Sequence, residues 1–504
     1  MSDSIKIVEN GFVFTADAQQ RSDVFTILIR NDRISEISTR GEALKAMYPN
    51  AEVIDAAGKA IFPGFVDPHY HGESFILRPL TNRVPFSKWS KDPELTKAFA
   101  FVREHCSVEQ LTTVYRLGFR AALKAGVTTL AEAGMDTLDR TFGAAIEAFS
   151  QSDLRGFLTL HSGDQVEHAK TQKAQAVRFL LSAPGEDDLT SYNLQTTART
   201  AREARWPMVI TVGETRKQLD ILKKNFQKSP LQLLSEYKFL SQPVVLAHLV
   251  YFEPGDLEIL IQSRLPALVS PASLVTKGTD IPPLVKFFDV GVPVALCGDW
   301  GLSDPFSNLR VLSALIRSEG TPNVQPFSLL ESVTRVPAAV LGVANEVGSL
   351  EVGKKADLVA VDISRFQFSG FAEGTNSEEL LWLVLNECSS SDIAEVMVNG
   401  EFYVRERTML TYSEEDLSAE GTSLFTALVN AIGRGSQATS GGSIVGAAAA
   451  SLVEGTLDSP AEEGFRIVKK GNEDAPATIL QMPPQRPAEL ASGVKKIFGE
   501  EEEL

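Results

Sequence analysis

The chain is short of cysteine and of long apolar runs, and both shortages narrow its class. Its 504 residues include only Cys106, Cys297 and Cys388, which form no Cys-x-x-Cys pair. This excludes a disulfide framework and predicts a reducing compartment. The most apolar late run, residues 444–453, is too short to span a bilayer, and the N-terminus lacks a signal pattern. We therefore expect a cytoplasmic protein with no membrane partner.

Positive charge is also scarce. Lysine and arginine number 48 against 65 acidic residues, which gives a net charge of -17. Such a chain repels phosphate backbones, so we expect no nucleic-acid partner. The apolar content of 43% is typical of a globular protein. Because 504 residues are many for one core, we expect a large catalytic domain with at least one smaller domain.

The first sixty residues and a later region both contain short segments with strand propensity. The N-terminal candidates are residues 5–8, 12–15, 25–29, 34–37 and 53–54, which turn-forming dipeptides separate. They are too few for a stable free-standing domain. We expect them to pair with residues 356–361 and with the hairpin 396–404, where Asn399-Gly400 supplies a tight turn.

Residues 63–345 alternate between segments with strand and helix propensity, the pattern of parallel βα units. Helical spacing of apolar residues is clear in residues 111–124. The eight candidate strands are residues 62–67, 128–131, 156–161, 177–182, 208–212, 244–248, 267–270 and 292–297. The pattern predicts a (β/α)8 barrel with its chemistry at the C-terminal ends of the strands.

Two of the six histidines follow the first of these strands at a spacing that metal sites use. Side chains two residues apart in an extended segment point the same way, so His69 and His71 would present two imidazoles side by side. Imidazole suits zinc or iron, and a catalytic ion keeps a coordination position for water. Two solvated loop histidines are the alternative that the spacing alone leaves open.

The context of these histidines resembles the amidohydrolase superfamily, whose barrel opens with an apolar run, Pro-Gly-Phe-Val-Asp and His-x-His. The similarity covers residues 5–430 and is closest to the branch that contains methylthioadenosine and S-adenosylhomocysteine deaminases, guanine deaminase and atrazine chlorohydrolase. It implies that both chain ends form one small β-sandwich beside the barrel. The expected parts are 1–62 and 346–413 for the sandwich, 63–345 for the barrel, 414–435 for a closing helix and 436–504 for a partly disordered extension.

The resemblance also implies a site that holds one divalent metal ion, zinc or iron. His69 and His71 would be metal ligands, and Asp299 would bind the metal or orient the attacking water. Glu214 would move protons between that water and the leaving group, and His248 would polarise the substrate or stabilise the oxyanion. By themselves, Glu214 is also consistent with a carboxylate at a helix N-terminus and Asp299 with a helix N-cap.

The sequence departs from the family at the fifth strand. Relatives have a histidine three residues before the glutamate as the third imidazole ligand, and this chain has Thr211, whose neutral hydroxyl is a poor ligand. His161, at the end of the third strand, is a candidate substitute, with a hydrogen-bonding pocket residue as its alternative reading. His248 could turn inward to coordinate the metal, and Cys297 is a soft candidate that is expected to lie too deep.

Two functions follow from these observations. The first is a metal-dependent amidohydrolase that cleaves a non-peptide C–N bond, by deamination of an aminated N-heterocycle with metal-activated water. Its small-molecule substrate would lie between apolar walls from Phe75, Trp89 and Trp300, with Arg78 available for a polar substituent. The second is a catalytically altered barrel, a pseudoenzyme or an enzyme with metal-independent chemistry. As in relatives, a homo-oligomer, a dimer or larger, is expected.

Overall fold

The computed structural model describes residues 4–134, 139–161, 163–171, 177–183, 190–241, 243–320, 324–368 and 376–434. The extension predicted at 436–504 lies outside these residues. Within them the chain forms one eight-stranded sheet and two further sheets.

The eight-stranded sheet is the predicted barrel. Its strands run parallel and follow one another in chain order, and the first and last meet at a bridge between Tyr70 and Asp299. Most of them are almost entirely buried, as expected for a parallel sheet covered by helices. The strands are Phe65–Tyr70, Val127–Glu132, Arg155–Leu160, Val177–Ser182, Met208–Val212, Val244–His248, Ala267–Val269 and Val294–Leu296.

Helices follow the barrel strands and bury one apolar face each. In Val108–Lys124 a Ser107 capping box satisfies the first turn, and Leu111, Val114 and Leu117 are buried on one side. No helix in the described ranges is both long enough and apolar enough to cross a membrane. The α-helices are Gly41–Met47, Ser74–Thr81, Pro93–Ala100, Val108–Lys124, Asp139–Ser150, Gly163–Thr171, Ser191–Ala204, Arg216–Phe226, Pro230–Glu236, Pro254–Ser263, Pro271–Lys277, Leu284–Asp289, Pro305–Ser318, Pro326–Ser332, Arg335–Val340, Ser377–Glu387 and Glu414–Ala431.

The other two sheets pack together, and the seven-stranded one combines strands from both chain ends, as predicted. Leu358–Asp362 pairs antiparallel with Lys59–Pro63, and the two sheets share a core that includes Ile27, Ile61 and Met397. The four-stranded sheet contains Arg33–Ser38, Thr26–Arg30, Ile5–Glu9 and Glu52–Asp55. The seven-stranded sheet contains Thr408–Met409, Glu401–Arg405, Ile393–Val398, Leu358–Asp362, Lys59–Pro63, Phe12–Phe14 and Ser22–Val24. The domain boundaries remain predictions.

The first barrel strand differs from its prediction. Residues 62–67 were expected to form one strand, but the chain divides at Gly64 into Lys59–Pro63 in the sandwich and Phe65–Tyr70 in the barrel. A Cβ at Gly64 would lie 2.2 Å from Thr128 Oγ1, so only glycine allows this close approach. The barrel strand therefore reaches as far as Tyr70 and carries His69 within it.

A buried ion pair connects the barrel to the sandwich, and we predict that its loss destabilises the protein. Arg155 Nη1 in the third barrel strand lies 2.6 Å from Asp357 Oδ2, and the side chains are 9% and 3% exposed. Asp357→Asn would leave a buried guanidinium unpaired, so the free energy of unfolding should fall by about 3 kcal/mol. Urea unfolding measures the loss. Glu167→Gln at an exposed pair is the control, and an equal effect in both variants would contradict the prediction.

Candidate active site at the barrel mouth

Both histidines of the His-x-His motif face one carboxylate oxygen. His69 Nε2 and His71 Nε2 lie 3.9 Å and 4.0 Å from Asp299 Oδ1. Their ring centroids are 5.2 Å apart with perpendicular planes. Burial, followed by the charge of His71, holds the pKa of His69 well below its usual range, so its imidazole is neutral. A neutral imidazole can bind a metal ion.

Asp67 ties together the ends of the first and eighth strands. Its Oδ1 accepts a hydrogen bond from the backbone of His69, and its Oδ2 accepts from the backbone of Gly298 at 2.9 Å and from Ser303 Oγ at 2.5 Å. Burial raises the pKa of Asp67 to about 7. These bonds explain how His69 and Asp299, which are far apart in sequence, are placed side by side.

Asp299 is fully buried three residues after the eighth strand. Its Oδ2 accepts hydrogen bonds from Ser273 Oγ at 2.7 Å and from Lys277 Nζ at 2.9 Å. Burial opposes its ionisation, but the charge of Lys277 and then that of His248 hold the pKa of Asp299 well below its usual range. Oδ1 has no hydrogen-bond partner among the described residues. One oxygen of an ionised carboxylate therefore remains available to a ligand.

Glu214 and His248 lie on the next part of the rim. His248 ends the sixth strand, and its Nε2 is 3.8 Å from Glu214 Oε1, two residues beyond the fifth strand. The ring of His248 is also 5.7 Å from that of His69. The Glu214 side chain is 20% exposed, whereas that of His248 is 6% exposed. Glu214 can therefore exchange protons with solvent while it faces the imidazole.

Lys277 is a site residue that the sequence analysis missed. Its ammonium lies 2.9 Å from Asp299 Oδ2, 3.4 Å from Glu214 Oε1 and 4.6 Å from the ring centroid of Phe86, and its side chain is 3% exposed. Burial disfavours its charge, but Asp299 and then Glu214 raise the pKa of Lys277 above its usual value. In the sequence, a lysine before Gly278 is indistinguishable from an ordinary cation at a helix C-terminus.

The side chains fit a metal ion in two neighbouring groups. His69, His248 and Asp299 each offer a ligand atom within 4.8 Å of the others, and so do His71, Glu73 and Glu132. Nitrogen and carboxylate oxygen are suitable donors for zinc. The first group includes the carboxylate of Asp299, whose Oδ1 has no hydrogen-bond partner among the described residues, so these residues fit the expected ion. Glu73 and Glu132 were also missed, although a carboxylate at the end of an apolar barrel strand, as at Glu132, was a usable signal.

Thr211 and two of the substitute ligands lie outside both groups. The Thr211 side chain is exposed, and its carbonyl accepts a hydrogen bond from Gln218. His161 Nε2 lies 2.7 Å from the Ala133 carbonyl oxygen, which suits its alternative reading as a hydrogen-bonding residue. Cys297 is deep in the barrel core, as expected, and burial raises the pKa of its thiol well above the usual value. Only His248 among the three candidates joins a ligand group.

An aromatic wall borders the site. The ring of Trp300 stacks on that of His71, with 4.4 Å between the ring centroids. It also makes edge-to-face contacts with the rings of Trp89 and Phe99. Trp89 is itself fixed by a 2.8 Å hydrogen bond from its indole nitrogen to the Val84 carbonyl. Arg78 lies over the ring of Phe75, at 4.5 Å. The wall is apolar and lies next to the imidazole of His71, and the rings of Trp89 and Phe99 stand almost perpendicular to that of Trp300.

Comparison with known proteins gives this geometry a family. The model of the amidohydrolase family matches residues 60–402. The chain belongs to the amidohydrolase family. This confirms the resemblance inferred from the His-x-His context, and with it the expectation of a hydrolase that acts on non-peptide C–N bonds. The (β/α)8 barrel with an accessory β-sandwich is confirmed as well.

The amidohydrolase is similar to several characterised relatives. A 5-methylthioadenosine/S-adenosylhomocysteine deaminase of Pyrococcus furiosus is 26% identical over 435 residues, 82% of this chain and 98% of the relative. A zinc-bound adenosine deaminase of Xanthomonas campestris superposes with a TM-score of 0.75 at 16% identity, over 84% of this chain and 98% of that chain. A zinc complex of atrazine chlorohydrolase from Arthrobacter aurescens superposes with a TM-score of 0.73 at 20% identity, over 83% of this chain and 100% of that chain.

Lys277 should be essential to the stability of the metal-free amidohydrolase. Lys277→Met leaves the buried Asp299 carboxylate without its cation, so the free energy of unfolding in chelator should fall by roughly 3 kcal/mol. Added Zn²⁺ should restore part of the loss, because the ion supplies the missing positive charge. Urea unfolding with and without Zn²⁺ measures both effects. The exposed Lys286→Met is the matched control; a similar response in both variants would refute the assignment.

Proposed function

We propose that this amidohydrolase removes an amino group hydrolytically from an N-heterocycle at the site around Asp299. One divalent ion, zinc or iron, would be held by His69, His248 and Asp299. The observation that carries the proposal is the placement of Glu214 and His248 3.8 Å apart beside the unpartnered oxygen of Asp299. Relatives named as deaminases along most of the chain support the same reaction.

Each polar side chain has a task in this reaction. A divalent ion at the site supplies Lewis acidity, which makes water a nucleophile at neutral pH. Glu214 takes the proton of the attacking water and delivers it to the departing amine, since its carboxylate lies at the open rim. His248, as a ligand of that ion, holds it next to Glu214, whose Oε1 lies 3.8 Å from His248 Nε2. Lys277 holds Asp299 and Glu214 in place through its ammonium.

The aromatic wall suits a flat substrate. An aminated heterocycle would stack against the Trp300 side of the site, where Phe99 and Trp89 support the indole. Arg78, whose Nη1 has no hydrogen-bond partner in the described part of the chain, is available for a polar substituent of the substrate. The site would therefore accept a small molecule. A homo-oligomeric state and a cytoplasmic location remain predictions.

The test of the mechanism is Glu214→Gln. The amide cannot accept and deliver the proton, so kcat should fall by at least about 10²-fold. Ammonia release from adenosine, 5′-deoxyadenosine, methylthioadenosine and guanine measures the rate, and elemental analysis and circular dichroism should remain at wild-type values. Glu258→Gln, an exposed substitution on the helix Pro254–Ser263, is the control. A Glu214→Gln variant with wild-type turnover would remove Glu214 from the mechanism.

A metal-free, catalytically altered barrel is the second candidate function. Thr211, which replaces the imidazole of relatives, favours this candidate. So does the Lys277 ammonium 2.9 Å from Asp299, because its positive charge repels a metal ion at the same carboxylate. Metal content after dialysis separates the two candidates. On our proposal, the wild type retains zinc or iron and His69→Ala loses one equivalent. A wild type that is empty, with metal gained in Thr211→His, would favour the altered barrel.

A further inference from the structure

Two buried carboxylates lie beside the candidate active site, and no lysine or arginine of the described residues is paired with either of them. Glu73 and Glu132 are both 0% exposed. No ion pair joins either of them to a lysine or arginine in the described residues, and neither oxygen of Glu73 has a hydrogen-bond partner there. Leaving an ionised carboxylate buried without a partner costs several kcal/mol. The pair therefore needs either a shared proton or a cation.

The geometry around this pair is suited to a cation. His71 Nδ1, which also lacks a hydrogen bond, lies 3.5 Å from Glu73 Oε1. Glu132 is held in position because its two oxygens accept hydrogen bonds from the backbones of Gly72 at 2.8 Å and Gly134 at 3.0 Å. A Cβ at residue 72 would lie 2.8 Å from Glu132 Oε2, so this approach requires glycine. One donor atom from each of the three side chains lies within 4.8 Å of the others.

The buried ammonium of the site is already paired. Lys277 contacts Asp299 and Glu214, and no contact with Glu73 or Glu132 is present among the described residues. A cation bound between the two buried carboxylates would supply the positive charge that the described side chains do not.

We propose that His71, Glu73 and Glu132 form a second cation site, separate from the group of His69, His248 and Asp299. One imidazole and two carboxylates suit a divalent ion of intermediate hardness, Zn²⁺ or Mn²⁺. His71 lies between the two groups, with Nδ1 towards Glu73 and Nε2 4.0 Å from Asp299 Oδ1. The site does not depend on the deaminase reaction, because ion binding is measured without substrate.

Metal stoichiometry of the full-length protein tests this site. Protein stripped with chelator would be dialysed against Zn²⁺ or Mn²⁺, and the bound metal would be counted by elemental analysis. We expect two equivalents in the wild type and one in Glu73→Gln. His69→Ala should also bind one, since it removes the other ion. The control is Glu104→Gln, at an exposed position, which should still bind both equivalents of metal.

Stability in chelator provides a second readout. Because Glu73→Gln removes an uncompensated buried charge, its unfolding midpoint without metal should equal or exceed that of the wild type, and added metal should stabilise it less. Glu132→Gln tests the site independently if Glu73→Gln does not fold. Equal metal binding by the wild type, Glu73→Gln and Glu132→Gln would overturn the proposal, whatever the number of equivalents. A single equivalent that Glu73→Gln loses and His69→Ala keeps would support this site even if the site around Asp299 is empty. Absence of deaminase activity would leave these counts unchanged.

Discussion

The candidate active site depends on the ion pair between Lys277 and Asp299 in the buried mouth of the barrel. At 2.9 Å, the ammonium fixes one oxygen of the carboxylate and leaves the other facing His69 and His71. Both side chains are almost completely buried, so their attraction is screened far less than that of a surface pair. The orientation of Asp299, and therefore the side from which a metal ion can approach, follows from this pair.

Backbone conformation helps to place the same groups. His248 and Asp299 have φ values of 80° and 50°, in the left-handed region that residues other than glycine seldom adopt. Both lie where a barrel strand gives way to the rim. Such conformations cost about 1–3 kcal/mol each and persist only where surrounding contacts determine them. The hydrogen bonds of Asp67 to the first and eighth strands are contacts of that kind.

Much of the fold could be predicted because its signals are local. Apolar runs between turn residues indicated the eight strands, and Asn399-Gly400 indicated the sandwich hairpin that the structure contains. The division at Gly64 was not predicted, although Pro63-Gly64 is a turn-forming dipeptide. What fixes the division there is the close approach to Thr128, a residue remote in sequence.

The site was predictable only in part, for a similar reason. The motif signals identified His69, His71, Glu214, His248 and Asp299, which the structure brings to one rim. Lys277 acquires its meaning through Asp299 and Glu214, which are distant in sequence. Glu132 was open to prediction from its place at the end of an apolar strand, and Glu73 from its closeness to His71, but the contact that brings these two carboxylates together is not evident in any local pattern.

The charge balance of the mouth shows what Thr211 changes. A neutral imidazole and a neutral hydroxyl differ as donors but not in charge, so replacing the fifth-strand histidine leaves the demand for positive charge as it was. Asp299, Glu214, Glu73 and Glu132 place four carboxyl groups in or beside this region, and Lys277 is the ammonium that contacts the first two. If all four are ionised, one lysine leaves an excess of negative charge in a poorly solvated volume, which cations or protons must offset. The loss of a ligand at Thr211 therefore weakens the coordination of a metal ion without removing the electrostatic reason for it to bind.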